Sequence, residues 1–77
     1  MAIPVVDMYT GPPKTRMYRG YEYHFYKGYP DEKTARKIAT NLRANAPNKE
    51  SKLHIIKMRL VGNVAATEMW FIYTRGY

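Results

Sequence analysis

Two strand-like stretches separated by a turn signal constrain the fold of this chain more than any other feature. Residues 53–61 and 67–73 are rich in β-branched, aromatic and methionine side chains, and Gly62-Asn63 follows the first stretch. Glycine and asparagine tolerate the positive φ angles that tight hairpin turns require. The sequence therefore predicts a β-hairpin, closed either by a two-residue turn at Gly62-Asn63 or by a longer loop that includes residues 64–66.

A two-residue turn fixes the register of this hairpin. It places Lys57 opposite Glu68, which carries the opposite charge, and Ile55 opposite Trp70. Side chains alternate between the two faces of a strand, so the hairpin has one apolar face and one mixed face. The apolar face, which we expect to form the core, comprises His54, Ile56, Met58, Leu60, Met69 and Phe71. The mixed face, either a solvated surface or a platform for a flat anionic partner, comprises Ile55, Lys57, Arg59 and Trp70.

The segment before the hairpin predicts a helix. Pro30 and the two acidic residues after it suit a helix N-terminus, and Pro47 stops a helix that runs to about Asn45. Apolar residues recur at helical spacing and predict a narrow stripe that packs on a sheet; they are Ala35, Ile38, Ala39, Leu42 and Ala46. Cations point away from this stripe at Lys33, Arg36, Lys37 and Arg43, and Glu32 lies one turn before Arg36.

The residues upstream of the helix predict a strand and an arm. Residues 17–29 read as a strand with aromatic side chains on both faces, in which Gly20 marks a bulge or a break into two strands. Residues 1–16 contain three prolines and predict a flexible, basic arm, with a short edge strand near Val5 as the alternative. The domain is therefore predicted to span residues 17–77. Its fold class is α+β, in the order β-α-β-β with a possible extra N-terminal strand, and one helix packs on an antiparallel or mixed sheet.

The charge of the chain indicates a polyanionic partner. Thirteen Lys and Arg residues stand against six Asp and Glu residues, for a net charge of +7 in only 77 residues. Uncompensated like charge destabilises the free compact state and attracts phosphates. Nucleic acid is the commonest such partner. A basic surface that only keeps the protein soluble is the alternative.

Other classes of function find little support in the sequence. Cys is absent, which leaves no disulfide and no thiolate metal site. His24 and His54 lie within predicted strands, and the six scattered carboxylates form neither a metal-ligand spacing nor a paired acid and base. No run approaches the roughly 20 apolar residues of a membrane span. We therefore expect a cytoplasmic protein that is not an enzyme and has no cofactor, metal, small-molecule substrate or membrane partner.

Cations and aromatic rings on the predicted strands form the candidate nucleic-acid-binding surface. Lys and Arg neutralise phosphates, and aromatic rings stack on bases or wedge between base steps. The candidates are Lys14, Arg16, Arg19, Lys57, Arg59, Trp70 and Arg75, with Tyr18 or Tyr26 beside them. Trp70 is either a stacking residue or a core residue, and the arm either follows a phosphate backbone or is a frayed terminus.

Part of this pattern resembles a known family. The residues Phe25-Tyr26-Lys27-Gly28-Tyr29-Pro30, a helix with Ala35 and Ala39, the strand Ile55-Ile56-Lys57-Met58-Arg59-Leu60 and a turn at Gly62 occur in an order similar to that of the small chromosomal protein family of methanogenic archaea. The resemblance covers about residues 25–73. It implies a monomeric, sequence-nonspecific binder of double-stranded DNA that bends its target, with Lys57 and Arg59 on the family's basic strand.

The leading hypothesis is a small architectural protein of an archaeon, a virus or another mobile element. It binds double-stranded DNA without sequence specificity through a basic and aromatic sheet face, and DNA is favoured over RNA. Two alternatives remain open. One is a protein-interaction or assembly module, such as a homodimer through a sheet edge or the aromatic face. The other is a small ribosome-associated RNA binder.

Overall fold

The computed structural model describes residues 4–7, 9–62 and 67–77. The secondary-structure elements, in chain order, are β1 (Val5–Asp7), β2 (Thr15–Tyr18), β3 (Tyr21–Tyr29), α1 (Glu32–Ala44), β4 (Lys52–Val61) and β5 (Thr67–Arg75). The α+β class with one helix on a sheet is confirmed, whereas the order β-α-β-β is wrong because three strands precede the helix. No helix within the described residues is long and apolar enough to cross a membrane.

The five strands form one mixed sheet in the order β1-β4-β5-β3-β2. Strand β1 pairs in parallel with β4, and every other pairing is antiparallel. Both β3 and β4 run antiparallel to β5, which lies between them, so they are parallel to each other and α1 is their crossover connection. Strand β5 is therefore the centre of the sheet.

Two segments within the first 16 residues belong to strands of this sheet. The short edge strand expected near Val5 is present as β1, whose three residues pair with Arg59, Leu60 and Val61 of β4. The boundary predicted between arm and domain, after Arg16, falls inside β2. Prolines at positions 4, 12 and 13 lie outside both strands, so they remove no hydrogen-bond donor from the ladder.

A tight hairpin replaces the single strand predicted for residues 17–29. Tyr18 pairs with Tyr21, which leaves Arg19 and Gly20 as a two-residue turn. Both turn residues have positive φ angles, 51° and 84°, as hairpin turns with matching twist require. The break at Gly20, one of the two expected alternatives, is therefore the observed one.

The β4–β5 hairpin is confirmed, but the register that follows from a two-residue turn, one of the two predicted closures, is wrong by two residues. Arg59 lies opposite Glu68 and Lys57 opposite Trp70, while Leu60 pairs with Thr67. The connection is consequently longer than a two-residue turn, and the expected Gly62-Asn63 turn lies partly outside the described residues. This register lets Glu68 contact two cations, Lys57 at 3.4 Å and Arg59 at 3.3 Å. Because the shift is even, both faces keep their predicted members.

The helix covers one face of the sheet through its smallest side chains. Ala35 and Ala39 have no exposed surface, and neither does Ile72 on the facing strand β5. Small residues let a helix approach a sheet closely, so the predicted alanine-rich stripe is confirmed as the packing face. Asp31 is the N-cap: it accepts the backbone N–H of Thr34 at 3.0 Å, and this bond lowers the pKa of the carboxyl. The expected pair of Glu32 and Arg36 forms at 3.6 Å.

A second core lies on the opposite face of the sheet. Tyr23, Met58, Phe71 and Tyr73 are buried there, and the residues packed around them include Ile56, Leu60 and Met69. The apolar face predicted for the β4–β5 hairpin is therefore confirmed as core. The connection from β1 to β2 joins opposite edges of the sheet, and the Tyr73 hydroxyl donates a 2.6 Å hydrogen bond to the carbonyl of Pro13. This proline-rich connection therefore crosses the face that α1 leaves open.

Three stacked aromatic rings connect strand β2 to this second core. The rings of Tyr18 and His54 are 4.3 Å apart, and those of His54 and Tyr73 are 5.8 Å apart. Tyr18 belongs to β2 and His54 to β4, although β3 and β5 lie between these strands in the sheet. The sheet must therefore curl. Burial first, and then the positive charge of Arg16, lower the pKa of His54 below its ordinary value of 6.5.

We expect Gly28→Ala to destabilise the fold by about 1–3 kcal/mol because the site is already filled. A Cβ atom on Gly28 lies 2.5 Å from two ring carbons of Phe71, which is buried. Urea unfolding measures the change. Lys27→Ala, an exposed change on the same strand, is the control and should shift stability by less than about 0.5 kcal/mol. An unchanged midpoint for Gly28→Ala would contradict the packing of Phe71 over this glycine.

The free energy of unfolding should fall as the pH is lowered from about 7.5 to about 5. The lowered pKa of His54 means that the unfolded chain takes up a proton at a higher pH than the folded chain does. The contribution of His54 to the free energy of unfolding is therefore fully present above pH 6.5. It is lost as the pH falls from there through the lower pKa of His54 in the folded chain. The pKa values of Asp31 and Glu68 are also lowered, but from 3.8 and 4.5, so their effects begin only near the lower end of this window.

Urea unfolding at several pH values tests this dependence. His54→Phe keeps an aromatic ring in the stack and should remove the pH dependence in this window. His24→Phe, at an exposed site, should retain it because His54 is unchanged. A pH dependence that survives in the first variant would show that another group is responsible.

Candidate nucleic-acid interface

The seven residues predicted for the binding surface fall on both sides of the sheet. Lys57, Arg59 and Trp70 lie on the side of α1, whereas Arg16 and Arg75 share the opposite face with the second core. Arg19 lies in the turn between β2 and β3. Lys14 is exposed, and its carbonyl accepts a 2.8 Å hydrogen bond from the backbone of Phe25. The expected single surface is therefore not formed.

A carboxylate already pairs with the cations of the α1 side. Lys57 and Arg59 both contact Glu68, at 3.4 Å and 3.3 Å. Burial alone would raise the pKa of Glu68, but the hydrogen bonds and charges of the two cations outweigh it and lower the pKa. Two positive charges share one negative charge, so this part of the sheet face offers less free charge than its sequence indicates.

Trp70 is held by partners of its own. Its indole N–H donates a 3.1 Å hydrogen bond to Glu32 at the start of α1. The ammonium of Lys57 lies 5.3 Å from the centre of the ring, within reach of a cation–π interaction. The side chain is half-buried. These contacts account for Trp70 as a residue that joins the helix N-terminus to the sheet.

A basic cleft lies on another part of the molecule, between the β2–β3 hairpin, the start of β4 and the end of α1. Its volume is about 730 Å³. Two of the predicted residues, Arg19 and Arg75, line it. The remaining residues of the basic cleft are Tyr18, Tyr21, Tyr23, Arg43, Lys49, Glu50, Lys52, Leu53, His54 and Ile55. It therefore combines cations with tyrosine rings in a concave site.

Within the described residues, the cations of the basic cleft have no carboxylate partner. Five line it, against the single carboxylate of Glu50: Arg19, Arg43, Lys49, Lys52 and Arg75. Within the described part of the chain, no carboxylate lies within 4.0 Å of any of these five charges. Lys52 and Arg75 even lie directly opposite each other on β4 and β5. Like charges in this arrangement destabilise a sheet.

Tyrosine rings support two of the cleft arginines. The guanidinium of Arg75 lies 4.1 Å from the ring centre of Tyr21, and that of Arg19 lies 5.4 Å from Tyr18. Such contacts stabilise the cation without neutralising its charge. Tyr18 is itself fixed by its stack on His54. The arginines are thus oriented and remain positively charged.

Sequence reasoning missed most of the basic cleft. The sequence places Arg43 on the outward face of the predicted helix, and Lys49 and Lys52 lie between this helix and the predicted hairpin. Their one shared signal is a cluster of cations around the end of the helix and the start of the next strand. Their meeting with Arg19 and Arg75 depends on the curl of the sheet, which no local pattern encodes.

The described residues contain no group of three His, Cys, Asp or Glu side chains placed to hold a metal ion. Comparisons with protein-family models, with curated proteins and with solved structures give no match for this chain. The resemblance to the archaeal chromosomal proteins consequently remains a prediction from the sequence.

Proposed function

We propose that this protein binds nucleic acid without reading its base sequence, and that the basic cleft is the binding site. The observation that supports this most directly is a set of five cations around one concavity, none of which has a carboxylate partner among the residues that the structure describes. Clustered like charges oppose folding of the free protein, whereas a polyanion relieves the repulsion. The successive phosphate groups of a nucleic-acid strand supply several negative charges, which suits several cations around one cleft.

The side chains of the cleft favour recognition of the sugar-phosphate backbone of a nucleic acid over recognition of its bases. Lys and Arg bind phosphate oxygens, which are the same at every base pair or base, and release of condensed counterions drives the association. Lys49 and Lys52 are exposed and reach outward on long, flexible side chains. Binding should therefore depend strongly on salt and weakly on sequence.

The basic cleft supports this function better than the sheet face expected from the sequence. There, Glu68 pairs with both Lys57 and Arg59, and Trp70 binds Glu32. In the cleft, Arg19 and Arg75 rest on tyrosine rings that leave their charge free. Binding of double-stranded DNA and bending of that duplex stay predictions that this proposal does not require.

Removing two lysines from the cleft should weaken binding far more than removing two lysines elsewhere. The variant Lys49→Ala/Lys52→Ala is compared with Lys33→Ala/Lys37→Ala, whose residues are exposed on α1 outside the cleft. Both variants lower the net charge of +7 by two. We expect roughly tenfold weaker binding for the first, with a salt dependence smaller by about one to two phosphate contacts.

Fluorescence anisotropy of a labelled random-sequence nucleic acid, titrated at several salt concentrations, measures both quantities. The control variant should bind nearly as the wild type does. Equal losses in the two variants would show that net charge rather than the cleft determines binding. Absence of any salt-dependent binding by the wild type would refute the proposed function.

Self-association through strand β2 is a second candidate function, favoured by one observation. Within the described residues β2 is the outermost strand on its side of the sheet, and Met17 is 63% exposed. An exposed strand edge with apolar side chains can pair with a second copy. Sedimentation of the pure protein over a range of concentrations tests this: a dimer that dissociates in Met17→Lys supports it, and a monomer throughout refutes it.

A further inference from the structure

We propose that the basic cleft takes an unpaired nucleic-acid strand and stacks one of its bases on Tyr21. This inference rests on the proposed function and makes it more specific, since it names the kind of nucleic acid and the residue that contacts a base.

Tyr21 is oriented and exposed at the same time. The guanidinium of Arg75 lies 4.1 Å from the ring centre, and 53% of the Tyr21 surface remains exposed. Its position is also fixed by the hairpin, where it pairs with Tyr18 across the Arg19-Gly20 turn. A ring held in this way loses little conformational entropy when a flat ligand stacks on it.

The shape of the site suits a nucleotide. Sites that enclose small organic ligands have volumes of about 300–1,000 Å³, and the basic cleft, at about 730 Å³, lies within this range. In a duplex the base faces are stacked on one another, so an aromatic ring inside a cleft contacts a base face only after a base step has been unstacked. An unpaired strand presents its bases to aromatic rings, and stacking tolerates every base.

The charges complete the arrangement. Arg75 stands on the Tyr21 ring, and Lys52 lies opposite Arg75 on the neighbouring strand. A base on Tyr21 therefore has two cations beside it for the flanking phosphates. Grooves that bind single strands without sequence preference combine these same two elements, cations along the backbone and rings for the bases.

Anisotropy titrations with three labelled probes test the inference. The probes are oligothymidylate and oligouridylate of about 12 nucleotides and a mixed-sequence DNA duplex of about 12 base pairs. We expect at least one of the single strands to bind more tightly than the duplex. The ratio of the affinities for oligothymidylate and oligouridylate then shows whether the cleft prefers DNA or RNA. A duplex that binds as tightly or more tightly overturns this inference and leaves the proposed function standing. Absence of binding to all three probes overturns both.

Matched tyrosine variants identify the stacking residue. Tyr21→Leu should weaken single-strand binding roughly tenfold, while Tyr21→Phe keeps the ring and should retain most of it. The control is Tyr26→Leu, since Tyr26 is 47% exposed on the same strand but does not line the cleft. Equal affinities for Tyr21→Leu and the wild type would overturn the role of this ring.

A fluorescent replacement tests the same point without removing a ring. In Tyr21→Trp, the added emission should be quenched by oligothymidylate, and in Tyr26→Trp it should not. Quenching that is equal at both positions overturns stacking in the cleft. Circular dichroism of each variant confirms that it is folded before titration.

Discussion

Burial of strand β5 on both faces is the constraint on which the rest of this structure depends. Phe71, Ile72, Tyr73 and Thr74 are consecutive residues of β5, and each is at most 8% exposed. Side chains that alternate between two faces can all be buried only if each face of the sheet is covered. The described residues contain one helix for this task, so α1 covers one face and the proline-rich connection between β1 and β2 crosses the other.

The basic cleft follows from how the second face is covered. A connection of a few residues cannot bury a sheet face as a helix does, and the sheet compensates by curling until Tyr18 stacks on His54. The same curl brings the Arg19-Gly20 turn toward the start of β4, where Lys52 and Arg75 lie opposite each other. The packing of the second core and the assembly of the basic cleft therefore both depend on the same curvature of the sheet.

The sequence predicted local structure well and long-range structure poorly. Periodicity identified the helix stripe of Ala35 and Ala39 and the two faces of the β4–β5 hairpin, because those patterns depend only on residues near one another. It misplaced the hairpin register by two residues, since the length of a loop is not encoded in side-chain alternation. A break in the strand at Gly20 was one of the predicted alternatives. The two-residue turn formed by Arg19 and Gly20 was not predicted, because arginine rarely adopts a positive φ angle.

The candidate site was predictable only in part, for the same reason. Arg19 and Arg75 were identified as cations beside aromatic residues, and both line the basic cleft. Lys57, Arg59 and Trp70 satisfied the same description, yet the fold places acidic partners beside them. Residue type alone does not distinguish a cation paired with a carboxylate from a cation resting on a tyrosine ring. That difference arises from strand register and from the position of the helix N-terminus.

The positions of the acidic residues decide where the excess positive charge appears. The chain has six, and five make their contacts outside the cleft. Two of them bind backbone N–H groups: Asp7 accepts that of Tyr9 after β1, and Asp31 caps the helix. Glu22 lies 3.7 Å from His24. Glu32 binds Trp70 and Arg36, and Glu68 binds Lys57 and Arg59. Glu50 alone lines the cleft. Because the other five carboxylates serve turns, caps and pairs elsewhere, the five cations of the cleft face a single carboxylate and keep an excess of positive charge.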